Sequence, residues 1–95
     1  MGRIQRVIWG TVRDAQGNPV AHARVYFTAG PVPLPDIAVL TDTRGAFSLS
    51  APSPGTYEIG GAADGFAPTS VTVKVTPDRE TQVEIVLDSQ RDLPV

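Results

Sequence analysis

Nowhere in this chain do apolar residues run at the length or spacing of a helix. They alternate one by one with polar residues, and the alternation is cut roughly every 8–15 residues by proline, glycine or an aspartate-led turn. Nine glycines and nine prolines supply these cuts. A chain so punctuated can bury its apolar side chains only by stacking short strands face to face.

The alternation sorts each segment into two faces. Ile8, Gly10 and Val12 share one face, and Val7, Trp9 and Thr11 share the other. Asp14-Ala15-Gln16-Gly17 has the residues of a type I turn, with Asp first and Gly fourth. Ala23, Val25 and Phe27 then alternate with His22, Arg24, Tyr26 and Thr28, and the small and apolar set is assigned to the core. Residues 30–36 hold three prolines and read as an extended loop. Ile37 to Thr41 reads as a short strand. Asp42-Thr43-Arg44-Gly45 repeats the turn, and Phe47 and Leu49 alternate after it. Pro54-Gly55 suits a type II turn, and Tyr57, Ile59 and Gly61 form the next apolar set. Asp64-Gly65 carries the signal of a primed turn. Val71, Val73 and Val75, then Val83, Ile85 and Leu87, complete seven strands, with Pro77-Asp78-Arg79 between the last two. The expectation is one domain over residues 1–88 and a patternless tail over 89–95.

Composition narrows the function. There is no cysteine, so neither disulfides nor thiolate metal sites are available. A net charge of −2 and a pI near 5.1 give no footprint for nucleic acid or anionic lipid. No apolar run approaches the ~20 residues of a membrane-spanning helix. The segment Met1 to Gly10 has two arginines but too few apolar residues for an export signal.

The string of motifs resembles the carboxypeptidase regulatory-like domain, with its transthyretin-like (prealbumin-like) sandwich. The resemblance runs from about Ile8 to Leu87. It is carried by Ile8-x-Gly10-x-Val12-x-Asp14, Gly17-x-Pro19 and Ala23-x-Val25. Thr41-Asp42-x-x-Gly45-x-Phe47-x-Leu49 and Pro54-Gly55-x-Tyr57-x-Ile59 follow, then Ala63-x-Gly65-Phe66 and Val83-x-Ile85-x-Leu87. The fold expected is all-β, a seven-stranded Greek-key β-sandwich of transthyretin-like or Ig-like form. The resemblance implies a non-catalytic accessory module for folding support, adhesion or partner contact, often in extracellular or cell-envelope proteins.

Candidate chemistry is sparse. His22 is the one histidine, and no Gly-x-Ser-x-Gly elbow is present. Transthyretin-like hydrolases use several histidines and a C-terminal Tyr-Arg-Gly-Ser, whereas this chain ends Arg91-Asp92-Leu93-Pro94-Val95. Asp14, Asp42, Asp64 and Asp78 each stand alone in a turn rather than at calcium-loop spacing. Lys74 and Asn18, the one lysine and the one asparagine, are assigned to an outward face and a turn, a poor setting for an isopeptide crosslink. No catalytic residue, metal ligand or cofactor is expected. Outward Lys74 and Glu84 are expected to pair across neighbouring strands.

Two features suit binding. Trp9 and Tyr26 are both assigned to outward faces, where aromatics stack on sugars or anchor protein interfaces. The bland account packs them under the loop or the tail. The second feature is Pro31-Val32-Pro33-Leu34-Pro35, a stiff loop that either offers Val32 and Leu34 as a contact surface or folds over the end of the sandwich. The partner expected is a protein or larger assembly, with carbohydrate second and a transthyretin-like hydrolase activity third. Nucleic acid and membrane insertion are not expected.

Overall fold

The computed structural model describes residues 6–34, 38–77 and 79–89. Seven strands follow one another along them: β1 (Arg6–Asp14), β2 (Arg24–Ala29), β3 (Ala38–Leu40), β4 (Ala46–Ala51), β5 (Gly55–Ala62), β6 (Thr69–Val75) and β7 (Thr81–Leu87). They form two sheets, in the orders β4-β1-β7 and β3-β2-β5-β6. β1 runs antiparallel to β4 and parallel to β7. The expected all-β sandwich of seven strands is the fold.

The core lies between the sheets and follows the period-two pattern. Ile8, Val12, Val25, Tyr57, Ile59, Ile85 and Leu87 are fully enclosed. Each such aliphatic side chain contributes about 1.5–3 kcal/mol by leaving water, as an upper bound. Phe47 stands opposite Gly10 in the β1–β4 pairing, and a Cβ on Gly10 would run into its ring. The bare backbone of Gly10 is therefore the seat of Phe47, the close approach that a glycine inside a strand signals. Phe27 packs on Tyr57 with ring centroids 5.0 Å apart.

One corner ties the sheets together. Thr41 is the buried polar side chain of the core. Its Oγ1 accepts from the Ala23 N–H at 2.9 Å and donates to the Val20 carbonyl at 2.7 Å. Its backbone bonds the same segment, donating to the Ala23 carbonyl at 3.0 Å and accepting from the His22 N–H at 3.1 Å. The next residue opens the second Asp-x-x-Gly turn. Asp42 Oδ1 accepts from the N–H groups of Arg44 and Ala46, both at 2.9 Å. Gly45 then adopts φ +76° and lies against β1, with its carbonyl accepting from the Val12 N–H at 2.7 Å. The turn at Asp14 repeats this wiring, but Gly17 (φ +89°) has open space around it. Both turns form as the sequence predicts.

Five expectations need correction. β2 starts at Arg24, because Ala21 and His22 form a tight turn with His22 at φ 60°. β3 covers Ala38–Leu40, so Thr41 has left the strand to serve the corner, and Ile37 lies outside the described residues. Val71 and Val83 are half-buried rather than core, because β6 and β7 are edge strands with cover on one side. The turn at Asp64-Gly65 closes with the Phe66 N–H on the Ala63 carbonyl at 3.1 Å, and Gly65 alone has a positive φ. A primed turn needs a positive φ at Asp64, so this one has a type II form. Finally, β6 and β7 belong to different sheets, so Lys74 and Glu84 are not cross-strand partners. Glu84 Oε2 instead meets Arg13 Nε at 2.9 Å, an exposed pair of little weight.

Two substitutions test the corner. Gly17→Ala should cost about 1 kcal/mol for its left-handed backbone, whereas Gly45→Ala adds an overlap with the Val12 carbonyl and should cost about 3 kcal/mol or more. Thr41→Val keeps the shape but strands the Ala23 N–H and Val20 carbonyl, for a loss of about 2–4 kcal/mol. Urea unfolding midpoints measure all three.

Candidate functional site

The structure separates the residues that the sequence groups together. Trp9 lies on the outer face of the β4-β1-β7 sheet and is 46% exposed. Tyr26 lies on the outer face of the other sheet, so the two aromatics point away from opposite sides of the sandwich. Tyr26 is half-buried and pairs directly with Gly60 on β5. A Cβ on Gly60 would sit 2.5 Å from the Tyr26 ring, so the ring covers that glycine. Tyr26 is spent on its own sheet.

The proline loop is also largely spent. Pro31 lies against Gly55, and Leu34 packs beside Tyr57 and the Gly30 backbone at one end of the sandwich. The same end is fastened by the Tyr57 hydroxyl, which donates to the Ser53 carbonyl at 2.6 Å and accepts from its N–H at 3.1 Å. Val32 and Pro33 stay exposed, and Pro35 lies outside the described residues.

Trp9 instead gains a neighbour that the sequence analysis did not single out. Leu40, on β3, is 62% exposed. The two residues line one hollow of about 330 Å³, together with Val39, Asp42, Ala46, Phe47 and Ser48. A second hollow of about 300 Å³ lies on the other side of the indole, lined by Trp9, Thr11, Ala46 and Gln82 over the backbone around Gly10, Phe47 and Val83. Trp9 thus forms a ridge between two depressions. The exposure of Leu40 was legible in the sequence: with Val39 turned inward, Leu40 has to face out of its own sheet, on the face that Tyr26 shares.

The titratable groups do structural work. Asp14 is held below the ordinary carboxylate value, chiefly by the Asn18 N–H. Asp42 is held down chiefly by the Ala46 N–H and then by that of Arg44. These carboxylates are occupied by their own turns, as turn chemistry predicts. Asp64 is exposed in the β5–β6 connection, and Asp78 lies outside the described residues. His22 is exposed on its turn. Among the described residues no three of His, Asp and Glu gather as a metal site. Asn18 and Lys74 are both exposed, which is not the buried setting that a Lys–Asn crosslink needs.

Comparison with known proteins then fixes the family. The model of the carboxypeptidase regulatory-like domain matches residues 7–88. The chain belongs to that family. No curated protein matches it. Among solved structures, a chain of an interface-mutant type II cohesin–X-dockerin complex from Acetivibrio cellulolyticus is similar with a TM-score of 0.67 and 15% identity, over 88% of this chain and 58% of that one. A protein of unknown function from Bacteroides fragilis gives 0.62 and 21%, over 94% and 29%. The 3-chlorocatechol 1,2-dioxygenase of Rhodococcus opacus 1CP gives 0.62 and 15%, over 90% and 60%. The carboxypeptidase regulatory-like chain spans three fifths or less of each of these structures. At such identities the likeness is one of fold.

The turn carboxylates make a pH prediction. Their folded-state pKa values lie below the ordinary 3.8, so the stability they lend is complete above that value and is lost as pH falls through the depressed values. Urea midpoints should therefore decline as pH falls below about 4, and the Asp14→Asn, Asp42→Asn double variant should decline less steeply there.

Proposed function

We propose that this carboxypeptidase regulatory-like domain is a non-catalytic accessory module that docks a protein partner or larger assembly on the outer face of the β4-β1-β7 sheet. The observation that carries the reading is Trp9, 46% exposed on that face and lining two hollows. An exposed indole beside hollows is the kind of anchor that dominates protein interfaces, where Trp is enriched among the residues that matter most. The membership of one fold neighbour in a cohesin–dockerin complex is consistent with use of this sandwich at protein interfaces. The indole beside Thr11 and Gln82 would also suit a sugar ring, and carbohydrate binding is the second reading.

The test is capture of partners from the native source by the domain and by two variants. Trp9→Ala should remove a partner that Val86→Ala retains, since Val86 is equally exposed at 46% but lies outside both hollows. The expected loss is about 2 kcal/mol in binding, or ~30-fold. Folding stability should change by less than about 1 kcal/mol. Identical capture by all three proteins would defeat the reading. Saturable quenching of Trp9 by a member of a glycan panel, with no protein captured, would favour the second.

A further inference from the structure

We infer that the free edge of β4 accepts an extended peptide as an added strand, and that one basic side chain of this peptide seats in the hollow between Trp9 and Asp42. The inference rests on the docking role proposed above for the same face and names the chemistry of the partner.

The direction of the β4 backbone groups follows from the corner. Ala46 exchanges bonds with Asp42, donating to Oδ1 at 2.9 Å and accepting from the Asp42 N–H at 3.1 Å. The Gly45 carbonyl, one residue earlier, bonds Val12 on β1. Backbone groups along an antiparallel edge alternate in direction. Odd-numbered residues of β4 therefore face β1, while Ser48 and Ser50 present their N–H and carbonyl groups on the other side. No strand lies there, because β4 ends the order of its sheet.

Free edges invite pairing and are ordinarily blunted by shortness, charge or cover. β3 is three residues long, β6 carries exposed Lys74, and β7 carries exposed Glu84. β4 is six residues of Ala, Phe, Ser and Leu with no charged side chain. It is the edge least protected against an incoming strand, which is the geometry of recognition by strand addition.

The hollow beside that edge sets the side chain. Val39 and Phe47 give an apolar lining, and the exposed part of Trp9 gives a π surface. Both turn N–H groups land on Asp42 Oδ1, which leaves Oδ2 outside the turn's hydrogen bonds. The Arg44 charge lies near enough to help hold Asp42 down, but the two form no direct ion pair; the ion pair among the described residues is Arg13–Glu84. An open indole next to a carboxylate oxygen that the turn does not use is complementary to a guanidinium or ammonium group.

Trp9 is the sole tryptophan, so its fluorescence reads the site directly in the unaltered chain. The probe is an eight-residue peptide of alternating threonine and valine with a central arginine. It should give a saturable change in emission, and replacing its arginine by glutamate should weaken binding ~tenfold or more. N-methylation of the peptide at the residues that face β4 should abolish binding, while methylation at the alternate residues should be tolerated. These peptide variants leave the protein's fold untouched. Equal binding of the glutamate peptide, or indifference to the position of methylation, would overturn the inference. So would a stable dimer of the chain in sedimentation, because a second copy would then hold the edge. If no peptide binds while Trp9-dependent capture of a protein persists, strand addition falls and the docking role stands.

Discussion

The sandwich hangs on the corner from Thr41 to Gly45. Here the chain leaves β3 in one sheet and enters β4 in the other, and it bonds a third stretch on the way. The Thr41 hydroxyl satisfies two backbone groups of the Val20–Ala23 segment inside the core. Buried backbone groups without partners are costly, so that segment cannot close over the core unless Thr41 is in place. Four residues later Gly45 meets β1 through Val12. A turn that looks local is thus the joint through which β1, β2, β3 and β4 acquire their relative positions.

That joint also makes the candidate site. Leu40 and Asp42 flank Thr41, so fixing Thr41 fixes where both can lie. Trp9 belongs to the other sheet, yet β1 is pinned to the same corner by Val12. The hollow between Trp9, Leu40 and Asp42 is the outer surface of the contact that holds the sheets together. Stability and the shape of the candidate site share one piece of backbone, and a change at Asp42 or Gly45 acts on both.

Much of the fold was legible because it is written locally. Alternation assigns Ile8, Val12, Val25, Ile59, Ile85 and Leu87 to the interior without knowledge of the pairing. Asp and Gly three apart make a turn through their own side chain and their own φ, so both Asp-x-x-Gly turns could be read directly. What depended on pairing could not be. The partner of Glu84 is Arg13 because β7 runs parallel to β1, a pairing that no short-range pattern announces. Tyr26 reads as outward, and it is, but its cover over Gly60 exists only in the β2–β5 register. For the same reason Trp9 was recognised as a candidate while the hollow that it lines with residues of β3 was not. That hollow lies at the sandwich edge, between strands that share no sheet.

Five of the six aromatic side chains have structural work to do. Phe47 fills the space left by Gly10, and Tyr26 covers Gly60. Tyr57 ties down the Ser53 bend and stacks on Phe27, while Phe66 packs on the core beside the Ala63 turn. Each of these rings answers a local deficit, and the structure would weaken without it. Trp9 answers none. It stands on the central strand of its sheet between two hollows, nearly half exposed, beside an edge that carries no charge. The inward positions on either side of it are taken by the enclosed Ile8 and by the Phe47 ring over Gly10, so the core has no place for the indole. A ring that the sandwich neither encloses nor uses is the side chain to which the proposed docking role is assigned.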